Sequence, residues 1–147
     1  MNFLRNTFSI LIGLFVSMII ITLGITLNSE WINQEWVVSR NYNPIIPFEK
    51  WQGVVKHAST WFFVALLISG GIASIIGGFV TALLVKEAKI AYSMFLGFIL
   101  YLIGIVDNVT TPGHPTWYNI AIFFVLFPFA WLGGKIVDKY LNKKKVN

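Results

Sequence analysis

The sequence predicts an all-α membrane protein, a four-transmembrane-helix bundle with both termini in the cytoplasm, and three observations carry that prediction. Hydrophobic residues make up 56% of the chain and charged residues 12%, roughly half the charged share of an ordinary soluble domain. Residues 8–27, 58–85, 90–106 and 117–134 contain no Asp, Glu, Lys or Arg, and a membrane crossing needs about 20 mostly apolar residues. The basic residues are distributed unevenly between the two sides that four crossings define. Because lipid offers the backbone no hydrogen-bonding partner, such runs must be helices, whose amides are satisfied internally.

Residues 8–27 form the first span. One basic residue, Arg5, precedes it, which superficially resembles a secretory signal. The apolar run is long for a signal core and no A-x-A pattern follows, so the segment is expected to stay attached as a membrane helix.

Residues 28–57 form the longest loop, expected to be ordered and to lie on the outer membrane surface. It contains Trp31, Trp36, Trp51 and Tyr42, rings that favour the headgroup level, together with Pro44 and Pro47. Pro47 suits a helix first turn, and Trp51, Val54, Val55, Ala58 and Phe62 follow at helical spacing. One nearly continuous helix from Pro47 to Val85 is therefore predicted, with its first turns outside the hydrocarbon.

The second span, 58–85, carries the clearest pattern. Ser69, Ala73, Gly77 and Thr81 recur every four residues, and so do Gly70, Ser74, Gly78 and Ala82. Adjacent rows on a helix merge into one broad face of small residues, which allows a second helix to approach closely. The helix it meets is either another span of this chain or a separate subunit.

The turn Lys86-Glu87-Ala88-Lys89 is short, so the second and third spans should be antiparallel neighbours. Residues 90–106 form the third span and offer Ser93, Gly97 and Gly104 as a matching small surface. The loop to the fourth span holds Pro112, Gly113 and Pro115 and is expected to be a tight turn. In the fourth span, 117–134, Pro128 removes a backbone donor and predicts a kink. A basic tail, 135–147, completes the single membrane domain.

Eight of the eleven Lys and Arg residues fall on one side: Arg5, Lys86, Lys89, Lys135, Lys139, Lys143, Lys144 and Lys145. The other side has Arg40, Lys50 and Lys56, offset by Glu30, Glu35 and Glu49. The richer side is expected to be cytoplasmic. On this reading the net charge of +5 reports topology, and the expected partners are the lipid bilayer and a membrane-protein partner or second copy, with no nucleic acid.

Chemistry-bearing residues are sparse. Cysteine is absent, which removes disulfides and thiolate sites. His57, Asp107, Asn108 and His114, with Thr110 and Thr111, form an outer polar cluster that is either an ordinary hydrated turn or a site for proton relay or metal binding. Asn108-Val109-Thr110 is formally a glycosylation sequon, but its closeness to the membrane argues against modification. No phosphate loop, nucleophile elbow or zinc-protease motif is present. No catalytic residue, metal site or cofactor is assigned.

Ile76-Gly77-Gly78-Phe79-Val80 with Ala82, Pro115-Thr116-Trp117-Tyr118, and Pro128-Phe129-Ala130-Trp131-Leu132-Gly133-Gly134-Lys135 together resemble a family of small four-helix bacterial membrane proteins, Bacteroidetes-type in particular. The resemblance covers about residues 69–137. It implies the same topology and a bacterial inner membrane, and it carries no activity. Many members of that family have a histidine in the second span, where this chain has small residues such as Gly70 and Gly71.

The leading functional expectation is a non-catalytic membrane subunit or scaffold that packs against other helices. A small oligomeric transporter or channel is the second. An interfacial enzyme acting on lipid or quinone is the third, and it requires His57, Asp107 and His114 to converge.

Overall fold

A computed structural model describes residues 2–28 and 48–146, which contain five helices and no strand. These are α1 (Asn2–Thr26), α2 (Phe48–His57), α3 (Thr60–Leu84), α4 (Lys89–Thr110) and α5 (Thr116–Val146). Four of them, all except α2, are long and apolar enough to cross a membrane, so the chain is a multi-pass membrane protein. The loop residues Trp31, Trp36, Tyr42, Pro44 and Pro47 lie outside the described residues, and so does the expected order of that loop.

Helix α3 is the spine. It packs extensively against α1 and α5 and meets α4, whereas α1 and α4 barely touch. The pairings Ser9 with Thr81 and Ser17 with Ala73 set α1 antiparallel to α3. The start of α1 and the end of α5 therefore share one end of the bundle with the α3–α4 turn. At the opposite end lie α2 and the α4–α5 turn.

The predicted continuous helix from Pro47 to Val85 is interrupted at Ala58 and Ser59. Ser59 adopts an extended conformation, and its hydroxyl accepts the Phe62 amide at 3.4 Å, capping α3. A serine there satisfies an orphan amide of the new helix, an option that a hydrophobic residue lacks. The break lets α2 turn toward the α4–α5 end, where Val54 and Val55 are buried in the same core as Phe62, Phe63, Leu96, Leu100 and Ala130.

Two other boundaries move outward. Helix α4 continues through Asp107 and Asn108 to Thr110, because both polar side chains find partners and the Thr110 hydroxyl bonds back to the Val106 carbonyl at 2.8 Å. Helix α5 continues well into the expected tail, and the Lys135 ammonium sits 4.4 Å from the centre of the Trp131 ring.

The turns use specific chemistry. Ala88 takes the left-handed conformation, and the Lys89 ammonium donates to the carbonyls of Ala82, at 2.8 Å, and Val85. Lys89 thus caps the carboxyl end of α3 with a cation. In the α4–α5 turn Gly113 has φ +135°, and a Cβ there would lie 3.2 Å from Lys56 Cα. Glycine is needed at this position both for its backbone angle and for the close approach of α2.

Candidate functional site

The two small-residue rows of α3 serve different neighbours. Ser69, Ala73, Gly77 and Thr81 face α1. The Ser17 hydroxyl donates to the Ala73 carbonyl at 3.0 Å, the Thr81 hydroxyl donates to the Ser9 carbonyl, and a Cβ on Gly24 would overlap Ser69. Gly13 and Gly77 meet directly: a Cβ on Gly77 would lie 2.9 Å from the Gly13 carbonyl oxygen.

The second row faces α5 and α4. The Ser74 hydroxyl donates to the Leu126 carbonyl at 2.8 Å, and the Gly78 carbonyl accepts from Ser93 at the same distance. A Cβ on Gly78 would overlap the Ala130 carbonyl oxygen, Gly70 abuts Leu126, and Ala82 is fully buried. The broad small face is therefore occupied within the chain. Each serine that crosses an interface meets a backbone carbonyl, so among the described residues close packing leaves no buried hydroxyl unsatisfied.

The polar cluster divides. Asp107 and His114 come together, with the carboxylate Oδ2 3.4 Å from Nε2. Asn108 turns away and donates to the Asn119 side chain. His57 stays on its own helix, where Nδ1 lies 3.0 Å from the Gly53 carbonyl. Thr110 serves as an internal helix hydroxyl, and Thr111 joins the carboxylate. Among the described residues, no three His, Asp or Glu side chains gather as metal ligands.

Helix geometry and the turn build the pair. Extension of α4 past Asp107 places Thr111 one turn on, where its hydroxyl donates to Asp107 Oδ1 at 3.3 Å. The turn then brings His114 back, its Nδ1 2.9 Å from the Thr111 carbonyl. From α2, Trp51 donates its indole N–H to Asp107 Oδ1 at 2.9 Å. The His114 ring is stacked on Tyr118 at 5.3 Å and packed against Phe63 at 5.7 Å. Its side chain is wholly buried, whereas that of Asp107 is 38% exposed.

Proton positions follow from donor accounting. The Thr111 carbonyl can only accept, so Nδ1 carries a proton. Nε2, 3.4 Å from Asp107 Oδ2, is buried and makes no hydrogen bond among the described residues.

Asp107 also lines a cavity of about 280 Å³ that runs into the bundle among α1, α3, α4 and α5. Trp51 and Tyr118 border it near Asp107, and its walls are apolar, including Leu66, Leu67, Leu100 and Leu126. Met18 of α1 and Ile103 of α4 line it too, and they are 37% and 40% exposed. The cavity thus reaches the seam between α1 and α4, two helices that touch little.

Sequence reasoning singled out Asp107 and His114 and missed Trp51 as a partner and Tyr118 as a wall. One signal was present: an indole N–H near a membrane interface needs an acceptor, and Asp107 is the one acidic residue near that end of the third and fourth spans. The chain matches no protein-family model, no curated protein and no solved structure.

Proposed function

We propose that this membrane protein binds a lipid-soluble small molecule in the cavity that ends at Asp107. The observation that supports the reading is an apolar chamber, close to the lower end of the roughly 300–1,000 Å³ typical of ligand sites, with a braced carboxylate at one end. Asp107 is held by Trp51 of α2 and by Thr111 and His114 of the α4–α5 turn, so its orientation is set before any ligand arrives. The scaffold reading loses its main motive, because α1, α4 and α5 cover the small-residue face. The interfacial-enzyme reading required His57 to join Asp107 and His114, and His57 stays on α2.

Purification in mild detergent, followed by extraction and mass spectrometry, should recover a lipid-soluble compound at a fixed ratio to protein. Leu67→Trp, which fills the cavity from one wall, should lose that compound while keeping a cooperative thermal transition. Equal recovery from both proteins would overturn the proposal.

The same proposal places both termini in the cytoplasm of a bacterial inner membrane, with the site near the outer surface. Its support is the basic excess at one end of the bundle. Single cysteines report this without background. Pro112→Cys, exposed in the α4–α5 turn, should react with an impermeant thiol reagent on intact cells, and Glu87→Cys should react only after lysis. The converse pattern would invert the orientation.

A further inference from the structure

We infer that a groove between α1 and α4, at the end of the bundle opposite Asp107, binds a phospholipid with an anionic head, its phosphate held by Arg5 and its acyl chain laid along Ile10, Leu14 and Ile99. The site is independent of the ligand proposed for the Asp107 cavity. Its shape, its donors and its charge each point to that occupant.

The groove has a volume of about 380 Å³ and follows the seam between two helices that touch little. Ile10, Leu11 and Leu14 of α1 and Phe95 and Ile99 of α4 form its apolar walls. Leu11 and Phe95 are 53% and 52% exposed although both sit within membrane-spanning helices, so the trough is open to acyl chains from the side. Its polar lining, Asn6, Thr7 and Tyr92, is gathered near the start of α1 and of α4. An apolar trough with a polar mouth matches the polarity of a lipid lying along it.

The donors at that mouth lack acceptors. The Asn6 amide donates to the Tyr92 hydroxyl at 2.8 Å, and that hydroxyl keeps its own proton to give. Arg5 precedes Asn6, one helical turn from Ser9, whose hydroxyl bonds the Arg5 carbonyl. Arg5 Nε and Nη2 are buried and make no hydrogen bond, and no carboxylate among the described residues pairs with them. These two atoms form the side-on edge of the guanidinium, whose parallel N–H groups match two oxygens of a phosphate. A buried charged donor without an acceptor is costly, and turning the flexible stem toward a phosphate sacrifices no hydrogen bond of that edge.

The charge of the head follows from its surroundings. Lys86, Lys89, Lys135 and Lys139 share this end of the bundle with Arg5 and outnumber Glu87 and Asp138. A net negative head gains from that excess, whereas the ammonium of a zwitterionic head meets like charge.

The test uses the full chain, delipidated in detergent and titrated with phosphatidylglycerol, phosphatidylcholine and diacylglycerol of identical acyl chains. Native mass spectrometry reads the bound lipid, and a thermal scan reads stabilisation. Phosphatidylglycerol should bind roughly tenfold more tightly than diacylglycerol, the gain expected of hydrogen bonds to a charged group, with phosphatidylcholine between them. Arg5→Gln should abolish that preference and keep the thermal transition of the lipid-free protein, because the edge it removes has no partner to lose. Tyr92→Phe, with Arg5 in place, should reduce the preference by a smaller factor. Equal binding of phosphatidylglycerol and diacylglycerol by the parent protein would overturn the inference. So would an unchanged preference in Arg5→Gln, or in Tyr92→Phe should Arg5→Gln fail to fold. Glycerol phosphate, a head without chains, should not displace the lipid; displacement at equal concentration would assign Arg5 to free phosphate and overturn the role of the groove. None of these failures touches the Asp107 cavity, which Leu67→Trp tests separately.

Discussion

Gly78→Leu is expected to abolish the folded bundle, a loss well beyond the roughly 1–3 kcal/mol that overpacking usually costs. The first atom of the new side chain would already overlap the Ala130 carbonyl oxygen and lie 3.0 Å from Ala130 Cα. Both are backbone atoms of α5, so no rotamer change can relieve them. Relief requires α3 and α5 to separate, which would also break the Ser74–Leu126 hydrogen bond. Leu83→Ile, at a position 48% exposed on the same helix, provides the control and should cost less than about 1.5 kcal/mol. Thermal unfolding in detergent distinguishes the two. A Gly78→Leu protein that unfolds at the wild-type temperature would refute the α3–α5 packing.

Gly77→Leu, one residue away, should release α1 and leave α3, α4 and α5 assembled. A side chain at Gly77 would overlap the Ser17 hydroxyl and crowd the Gly13 carbonyl, both on α1. The Ser9→Cys and Thr81→Cys pair, which spans the α1–α3 contact, offers a direct reading. Oxidation should form that disulfide in the parent protein and fail in the Gly77→Leu background, while a cooperative thermal transition persists at lower temperature. Efficient disulfide formation in both backgrounds would show that α1 is not held by this row.

The contrast between neighbouring glycines shows where sequence reading stopped. A period of four marks both rows as small, and it located all eight residues on α3. It does not say which helix each row meets, because that depends on how α1 and α5 are rotated about their own axes. Those helices carry broad apolar surfaces with little polarity to fix rotation. The serines hold the missing information. Ser17, Ser74 and Ser93 each cross to a particular backbone carbonyl, and carbonyl positions exist only once helices are placed.

The candidate site was legible in part for a similar reason. Asp107 and His114 stood out as polar residues beside long apolar runs, and their pairing depends on α4 running on to Thr110 before the turn. Proline and glycine at 112, 113 and 115 announce a turn without fixing its first residue. The helix break at Ser59 was masked by the regular spacing of Trp51, Val54, Val55, Ala58 and Phe62, which a single helix would also produce. With the break, α2 brings Trp51 to Asp107, a contact between residues 56 apart in sequence that no local pattern encodes.

The central position of α3 bears on how the protein is made. Membrane helices enter the bilayer in order of synthesis, so α1 is already present when α3 arrives, and the row containing Gly77 can be covered at once. The row containing Gly78 has no such neighbour. Until α5 leaves the ribosome, its glycines and the Ser74 hydroxyl meet lipid tails or whatever insertion factor shields nascent spans. Biogenesis thus passes through a half-dressed α3, and an arrested or truncated chain ending before Thr116 would display that bare row to the cell's quality-control proteases.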